Sequence, residues 1–175
     1  MVLALCGCAL QFKNPANSCT DNATCTQGIQ LLNLFGKDPR LVTLADLPAI
    51  VTAMSQPCTL LLDYKAITVA PSQTVSNPPR IVTWRITPLD PADSKLRIDV
   101  VFDEKNGVAF TKADQTDFVS PSRVSDTVFT WNAVTPGSNQ TLGYGLNLDI
   151  KVSGTGLPIS RSFSCKLDPT IVNSL

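Results

Sequence analysis

The strongest constraint on the fold is an alternation of apolar and polar residues in the second half of the chain. In "KLRIDVVFD" (95–103), Leu96, Ile98, Val100 and Phe102 alternate with more polar positions. A repeat of two residues indicates a β-strand that buries one face. The same pattern occurs in "IVTWRITPL" (81–89) and "YGLNLDIKV" (144–152). The chain is therefore predicted to fold around half-buried strands.

Four further segments have the composition of strands: "TLLLDYKAITVA" (59–70), "VAFT" (108–111), "TVFTWNAV" (127–134) and "ISRSFSCKL" (159–167). The turn sequences "LDPADS" (89–94) and "DEKNG" (103–107) separate neighbouring strands and predict consecutive antiparallel pairing. About seven strands at this spacing are typical of a sandwich. We predict a mainly β fold, an immunoglobulin-like antiparallel β-sandwich.

One or two short N-terminal helices are predicted before the sheet. "IQLLNLFG" (29–36) and "TLADLPAIVTAM" (43–54) have apolar residues at helical spacing, and Thr43 and Asp46 are placed for a capping box. The polar segment 9–28 has no apolar repeat and is interpreted as a tether with one stapled loop. The predicted organisation is a signal remnant (1–8), a tether (9–28) and a sandwich domain (29–175) with short helices at 29–55.

The charge balance and the missing histidine exclude several functions. Fourteen basic and fourteen acidic side chains cancel, and the chain contains no histidine. A nucleic-acid partner is not expected, because such binding depends on an excess of Lys and Arg. Without histidine the commonest general base and metal ligand is missing, and no CxxC pair is present. We predict no enzyme, no catalytic residues, no metal site and no cofactor.

In a chain without histidine, pairs of carboxylates are the remaining groups that can act as general acid and base. Asp90 with Asp93, and Asp99 with Asp103, are the closest candidates for a glycosidase pair, and Asp90 with Asp93 also for a calcium site. For Asp90 and Asp93 the favoured interpretation is turn chemistry, because Asp commonly accepts backbone hydrogen bonds in turns. Three further acids are interpreted as solvated loop charge: Asp114, Asp117 and Asp126.

The two tryptophans are candidates for a carbohydrate platform. Trp84 occupies the apolar face of its strand, so a core position is favoured. Trp131 shares a face with Phe129, and the sequence leaves open whether that face is buried or exposed.

The first eight residues, "MVLALCGC", contain an apolar run, a small residue and a cysteine. Leu5, Gly7 and Cys8 stand where the lipobox of bacterial lipoproteins has its leucine, small residue and modified cysteine, and the chain resembles that family here. The resemblance implies cleavage before Cys8, acylation of Cys8 and attachment to a membrane by lipid. Ala9 follows the anchor cysteine, which by the family's sorting signal implies the outer membrane.

Four cysteines remain when Cys6 is removed with the signal and Cys8 carries lipid. Four cysteines allow three pairings. We favour Cys19 with Cys25, within "CTDNATC", and Cys58 with Cys165, which lies 107 positions further along the chain. Disulfides persist in the oxidising envelope, whereas buried free thiols in a cytosolic protein are the alternative.

The functional expectation is a non-enzymatic bacterial envelope lipoprotein, anchored at Cys8, that binds another envelope or surface component. A structural subunit of a pilus or phage-tail-like assembly is the first alternative, with an edge strand or the apolar N-terminal run packing into a neighbour. A carbohydrate-active enzyme is the second alternative.

Overall fold

The computed structural model describes residues 9–19, 24–52, 58–69, 80–110, 118–133, 140–155, 160–167 and 170–173. Within them the chain is mainly β. The strands are β1 (Ala9–Cys19), β2 (Thr24–Leu34), β3 (Cys58–Val69), β4 (Arg80–Ile86), β5 (Leu96–Phe102), β6 (Val108–Phe110), β7 (Phe118–Ser125), β8 (Val128–Ala133), β9 (Gln140–Gly154), β10 (Ser160–Leu167) and β11 (Thr170–Asn173). Two single-turn 3₁₀ helices span Pro39–Leu41 and Leu44–Asp46, and the helix α1 spans Leu47–Thr52.

The strands form two sheets. The larger sheet has the order β1-β3-β2-β4-β8-β7. One edge of β3 pairs with β2 over residues 58–62 and with β11 over residues 66–69. The smaller sheet has β9 at its centre, with β10 on one edge and β5 followed by β6 on the other. This arrangement agrees with the predicted mainly β sandwich architecture.

The strand β9 belongs to both sheets. Its first residues, 140–143, pair with β11 in the larger sheet, and residues 144–154 pair with the strands of the smaller one. Gly143 and Gly145 stand on either side of Tyr144 at this crossing. A strand that passes from one sheet to the other forms a corner of a sandwich.

Aromatic side chains from both sheets meet in the core. The ring centroids of Trp84 and Tyr144 are 5.4 Å apart, and those of Phe110 and Trp131 are 5.2 Å apart. The indole Nε1 of Trp131 also donates to the carbonyl oxygen of Val108 at 3.0 Å. Because these contacts join strands of different sheets, they fix the sheets against each other.

The predicted alternation is confirmed in the strands that carry it. In β5, Leu96, Ile98, Val100 and Phe102 are buried. In β9 the buried set is Tyr144, Leu146, Leu148, Ile150 and Val152. Burying one face of each strand supplies most of the apolar core of the smaller sheet.

The buried side chain of Gln27 links β2 to β3 just beyond the point where the backbone pairing of the two strands ends. Gln27 is fully buried; its Nε2 donates to the carbonyl oxygen of Tyr64 at 2.7 Å, and its Oε1 accepts from the Tyr64 N–H at 3.2 Å. The side-chain amide thus replaces a backbone partner for Tyr64. Beside it, the N–H of Gly28 donates to a carboxylate oxygen of Asp63 at 3.1 Å.

Several secondary-structure predictions are wrong. The helix predicted over 29–36 is the second half of β2, and the tether predicted over 9–28 contains β1 and the first part of β2. The segment 111–126, which carries the three acids interpreted as loop charge, is also a strand in part, since β7 spans Phe118–Ser125. In β2, Cys25, Gln27, Ile29 and Leu31 are buried in alternation, and a register shift after Leu31 then displaces the pattern. That shift gives apolar residues the irregular spacing that resembles a helix.

The expected consecutive antiparallel pairing is also wrong for β4, β5 and β6. Strand β4 pairs with β2 and β8, whereas β5 and β6 both pair with β9. Three pairs are parallel rather than antiparallel: β1 with β3, β2 with β4, and β11 with β3. Parallel pairs need long connections, which turn sequences do not reveal.

The second predicted helix is confirmed in a shortened form. A 3₁₀ turn leads into α1, and the carboxylate of Asp46 accepts from the N–H of Thr43 at 2.9 Å and from its hydroxyl at 3.0 Å. The lipobox-like residues 1–8 lie outside the described part of the chain.

Candidate functional site

A groove lies where the outer edge of β5 faces the turn between β7 and β8. Its volume is about 350 Å³. Its walls include Pro88 and Leu89 on one side, Asp126 and Thr127 of the turn, and residues 97–101 of β5. A second depression of about 330 Å³ adjoins the groove and shares Val101 and Lys151 with it.

Most charged side chains at the groove are paired with each other. The Nε of Arg97 lies 2.6 Å from a carboxylate oxygen of Asp99, and a guanidinium nitrogen of Arg123 lies 2.9 Å from Asp126. Lys151 stands opposite Asp99 in the β5–β9 register and is exposed. Among the described residues Lys151 forms no ion pair, so it is the cation of the groove that remains available to a ligand.

At each end of β5, on the edge that does not pair with β9, a backbone N–H already donates to a carbonyl oxygen. The N–H of Leu96 donates to the carbonyl oxygen of Asp93 at 2.9 Å, and the N–H of Phe102 donates to that of Asp126 at 2.8 Å. Neither acceptor belongs to β9, so both bonds lie on the edge that faces away from β9.

The middle of the same edge is open. Successive N–H groups of a strand point to opposite sides, so those of Ile98 and Val100 point the same way as those of Leu96 and Phe102. Both residues line the groove. Within the part of the chain that the structure describes, β5 pairs with β9 alone. Ile98 and Val100 therefore present backbone donors and acceptors to the groove without a partner strand.

The predicted carboxylates are engaged in loop structure. Asp93 accepts from the N–H groups of Leu44 at 2.9 Å and Lys95 at 3.0 Å. These hydrogen bonds, that from Leu44 above all, hold the pKa of the Asp93 carboxyl below its usual range. Asp103 accepts from Lys105 at 3.0 Å and from Asn106 at 2.7 Å. Turn chemistry, the interpretation favoured for Asp90 and Asp93, is confirmed for Asp93, and Asp103 accepts backbone hydrogen bonds in the same manner.

The other acids predicted from the sequence are exposed or paired with an arginine. Asp90 is exposed on a loop, Asp99 is paired with Arg97, and Asp126 is paired with Arg123. Asp114 and Asp117 lie outside the described residues. No group of three or more Cys, Asp or Glu residues that could hold a metal ion occurs in the described part of the chain.

Both tryptophans belong to the core. Trp84 is 0% exposed and Trp131 is 7% exposed. The core position predicted for Trp84 is confirmed, and the question left open for Trp131 is answered in the same way. A carbohydrate platform needs exposed rings, so neither residue supplies one.

Two of the four predicted disulfide cysteines have described side chains. Cys25 and Cys58 are both disulfide-bonded. They are not bonded to each other, because Cys58 stands opposite Leu34, nine positions along β2 from Cys25. The assignment of Cys19 to Cys25 and of Cys165 to Cys58 stays a prediction.

The open edge of β5 is the feature that the sequence analysis missed. Alternation correctly predicted which side chains of β5 face outward, but it carries no information on which neighbour each backbone edge meets. The sequence does indicate that Lys151 faces outward, because it lies between two apolar residues of an alternating strand.

No described helix has the length and hydropathy needed to cross a membrane. No protein-family model matches the chain, and comparison with curated proteins finds no relative.

Proposed function

We propose that this chain is a non-enzymatic binding protein of the bacterial cell envelope, held at the outer membrane by lipid on Cys8. The observation that carries the binding role is the open edge of β5 in a groove with an available cation, Lys151. An unpaired strand edge is a template for another polypeptide. The partner is accordingly another envelope or surface protein, and the domain is an immunoglobulin-like sandwich that presents this groove.

The contacts of the acidic residues support a binding role more than an enzymatic role. Asp93 and Asp103 are occupied by backbone hydrogen bonds, and Asp99 and Asp126 by arginines. A glycosidase needs two carboxyl groups that face each other across a cleft. The groove instead offers backbone groups and one cation, which are elements of recognition.

The sequence supports the location. Leu5, Gly7 and Cys8 fit the lipobox pattern, and the disulfide-bonded state of Cys25 and Cys58 agrees with an oxidising compartment. The strand β1 begins at Ala9, so lipid on Cys8 would hold the edge of the larger sheet close to the membrane surface.

The anchor is tested by membrane partitioning of the chain expressed with a functional export signal. We expect the wild-type chain to sediment with membranes and the Cys8→Ser variant to stay in the soluble fraction. Cys6→Ser is the matched control and should behave like the wild type. The intact mass should correspond to a chain beginning at Cys8 with acyl groups. Equal solubility of wild type and Cys8→Ser would exclude the lipid anchor.

A second candidate function is a subunit of a pilus or phage-tail-like assembly. The observation that favours it is β1, which pairs with β3 on one edge and whose side chains are mostly exposed over 9–16. Such a strand can pair with a neighbouring subunit. Filaments that form as concentration rises, seen by electron microscopy, would support this function, and a monomer at all concentrations would exclude it.

A further inference from the structure

We propose that the groove beside β5 binds a short extended peptide segment as an added strand, with an apolar side chain against Pro88 and Leu89 and an acidic one toward Lys151. This proposal deepens the binding role given above and rests on it, but it does not depend on the lipid anchor. A failure of the anchor would appear in membrane partitioning, whereas a failure of the peptide site would appear in the soluble Cys8→Ser protein.

The backbone of β5 supplies the main recognition. Ile98 and Val100 each direct an N–H and a C=O group into the groove, at the two-residue spacing of a strand. An extended peptide can form hydrogen bonds to all four groups. In strand addition these backbone bonds provide affinity without regard to sequence, and side-chain contacts provide selectivity.

The closed ends limit the length of the guest. The carbonyl groups of Asp93 and Asp126 occupy the N–H groups at either end of β5, so a guest pairs only between Leu96 and Phe102. At about 3.4 Å per residue this edge is about 20 Å long. A folded strand of a second copy would bring its own sheet against the turn at Asp126. A loose segment or chain end of about three to five residues avoids this obstruction.

The walls select the side chains of the guest. Alternate side chains of a strand point to opposite faces. One face of the guest meets Pro88 and Leu89, and Leu89 is itself packed against the core. The other face lies over Arg97 and Asp99, which neutralise each other, and Lys151 lines the same groove behind them, on β9 opposite Asp99. The best guest therefore alternates apolar and acidic residues.

The test uses the soluble Cys8→Ser protein and a capped peptide of sequence Val-Glu-Val-Glu-Val. We expect saturable binding below about 1 mM by NMR titration. Amide exchange at Ile98 and Val100 should slow by at least about tenfold at saturation, because both N–H groups become hydrogen-bonded. A peptide N-methylated on the amides that face β5 should not bind, whereas methylation of the opposite amides should be tolerated.

Charge selectivity is tested on the protein and on the peptide. Lys151→Glu should weaken binding of the acidic peptide by about fivefold, since one favourable contact is replaced by a repulsive one. The matched control is Lys65→Glu, on the exposed side of β3 in the other sheet, which should leave binding unchanged. The peptide Val-Lys-Val-Lys-Val should reverse its preference between wild type and Lys151→Glu.

Three outcomes would overturn the proposal. The first is no binding at 1 mM, and the second is protection of amides at β1, β7 or β10 in place of Ile98 and Val100. The third is that both amides are already protected without peptide. Protection that increases with protein concentration would identify a second copy as the occupant, and protection independent of concentration would identify a segment of the same chain.

Discussion

Gln27 is a polar residue at a fully buried position, and both ends of its amide are bonded to the backbone of Tyr64. We expect Gln27→Leu to lower the free energy of unfolding by about 1–3 kcal/mol, because it leaves the part-buried N–H and C=O of Tyr64 unpaired. Urea denaturation measures the change. Gln30→Leu, on the other face of β2, is the control and should change stability by less than about 0.5 kcal/mol. An equally small effect of Gln27→Leu would show that the two groups find other partners.

Gly28 stands where a side chain would displace the carboxylate of Asp63. A Cβ atom at this position would lie 2.1 Å from Oδ2 of Asp63, and the other oxygen of that carboxylate, Oδ1, accepts a hydrogen bond from Lys13. We expect Gly28→Ala to cost about 1–3 kcal/mol, because Asp63 must rotate away and give up both contacts. Urea denaturation of the variants Gly28→Ala, Asp63→Ala and the double variant measures this coupling. Additive effects would mean that the Asp63 carboxylate is not what the Cβ displaces.

The 3₁₀ turn before α1 depends on one carboxylate. A hydrogen bond from Lys37, and then those from Thr43, lower the pKa of Asp46 from 3.8 to about 2. A lowered pKa means that the ionised form stabilises the folded state, fully above pH 3.8 and progressively less as the pH falls through 2. We expect the stability difference between wild type and Asp46→Asn to shrink between pH 4 and pH 2, measured by urea denaturation. Asp90→Asn is the control, and a difference that does not change with pH would contradict the assignment.

How well the sequence predicts a strand depends on how regular that strand is. The buried alternation is unbroken over 144–152 of β9 and runs from Leu96 to Val100 in β5, where Val101 and Phe102 are then both buried; it predicts both strands and their inward faces. In β2 the register shift after Leu31 interrupts the alternation. In β7 the register shifts twice and Ser120 has a positive φ of 56°. The sequence of this segment has the composition of a loop, although the strand pairs with β8. Irregular strands are therefore the ones that local patterns fail to predict.

The site could be predicted only in part, because an open edge is a property of the whole molecule. Lys151, Arg97 and Asp99 are correctly expected to face outward from alternation alone. Whether Ile98 and Val100 meet a partner on their free edge depends on where β4 pairs, and β4 lies beside β2 and β8. These pairings join residues far apart in the sequence, and nothing local specifies them.

The disulfide pairing also belongs to the whole molecule. We expect a non-reducing peptide map to show Cys19 linked to Cys25 and Cys58 linked to Cys165. The second link would close a loop of 107 positions, and reducing it should lower stability by about 4–5 kcal/mol on the chain-entropy argument. Thermal unfolding of the Cys58→Ser, Cys165→Ser variant against wild type measures this. A map in which Cys58 is linked to any other cysteine would contradict the pairing.

The passage of β9 through both sheets determines the order in which the molecule is assembled during synthesis. Among the described strands, β5 and β6 pair only with β9, so these pairings form after β9 has left the ribosome, and β11 enters beside β3 only after that. Up to that stage the apolar faces of β5 and β6 belong to an incomplete sheet, which makes the nascent chain prone to aggregation. A holding chaperone, or export before folding, would therefore raise the yield of this protein more than added stability of its finished core.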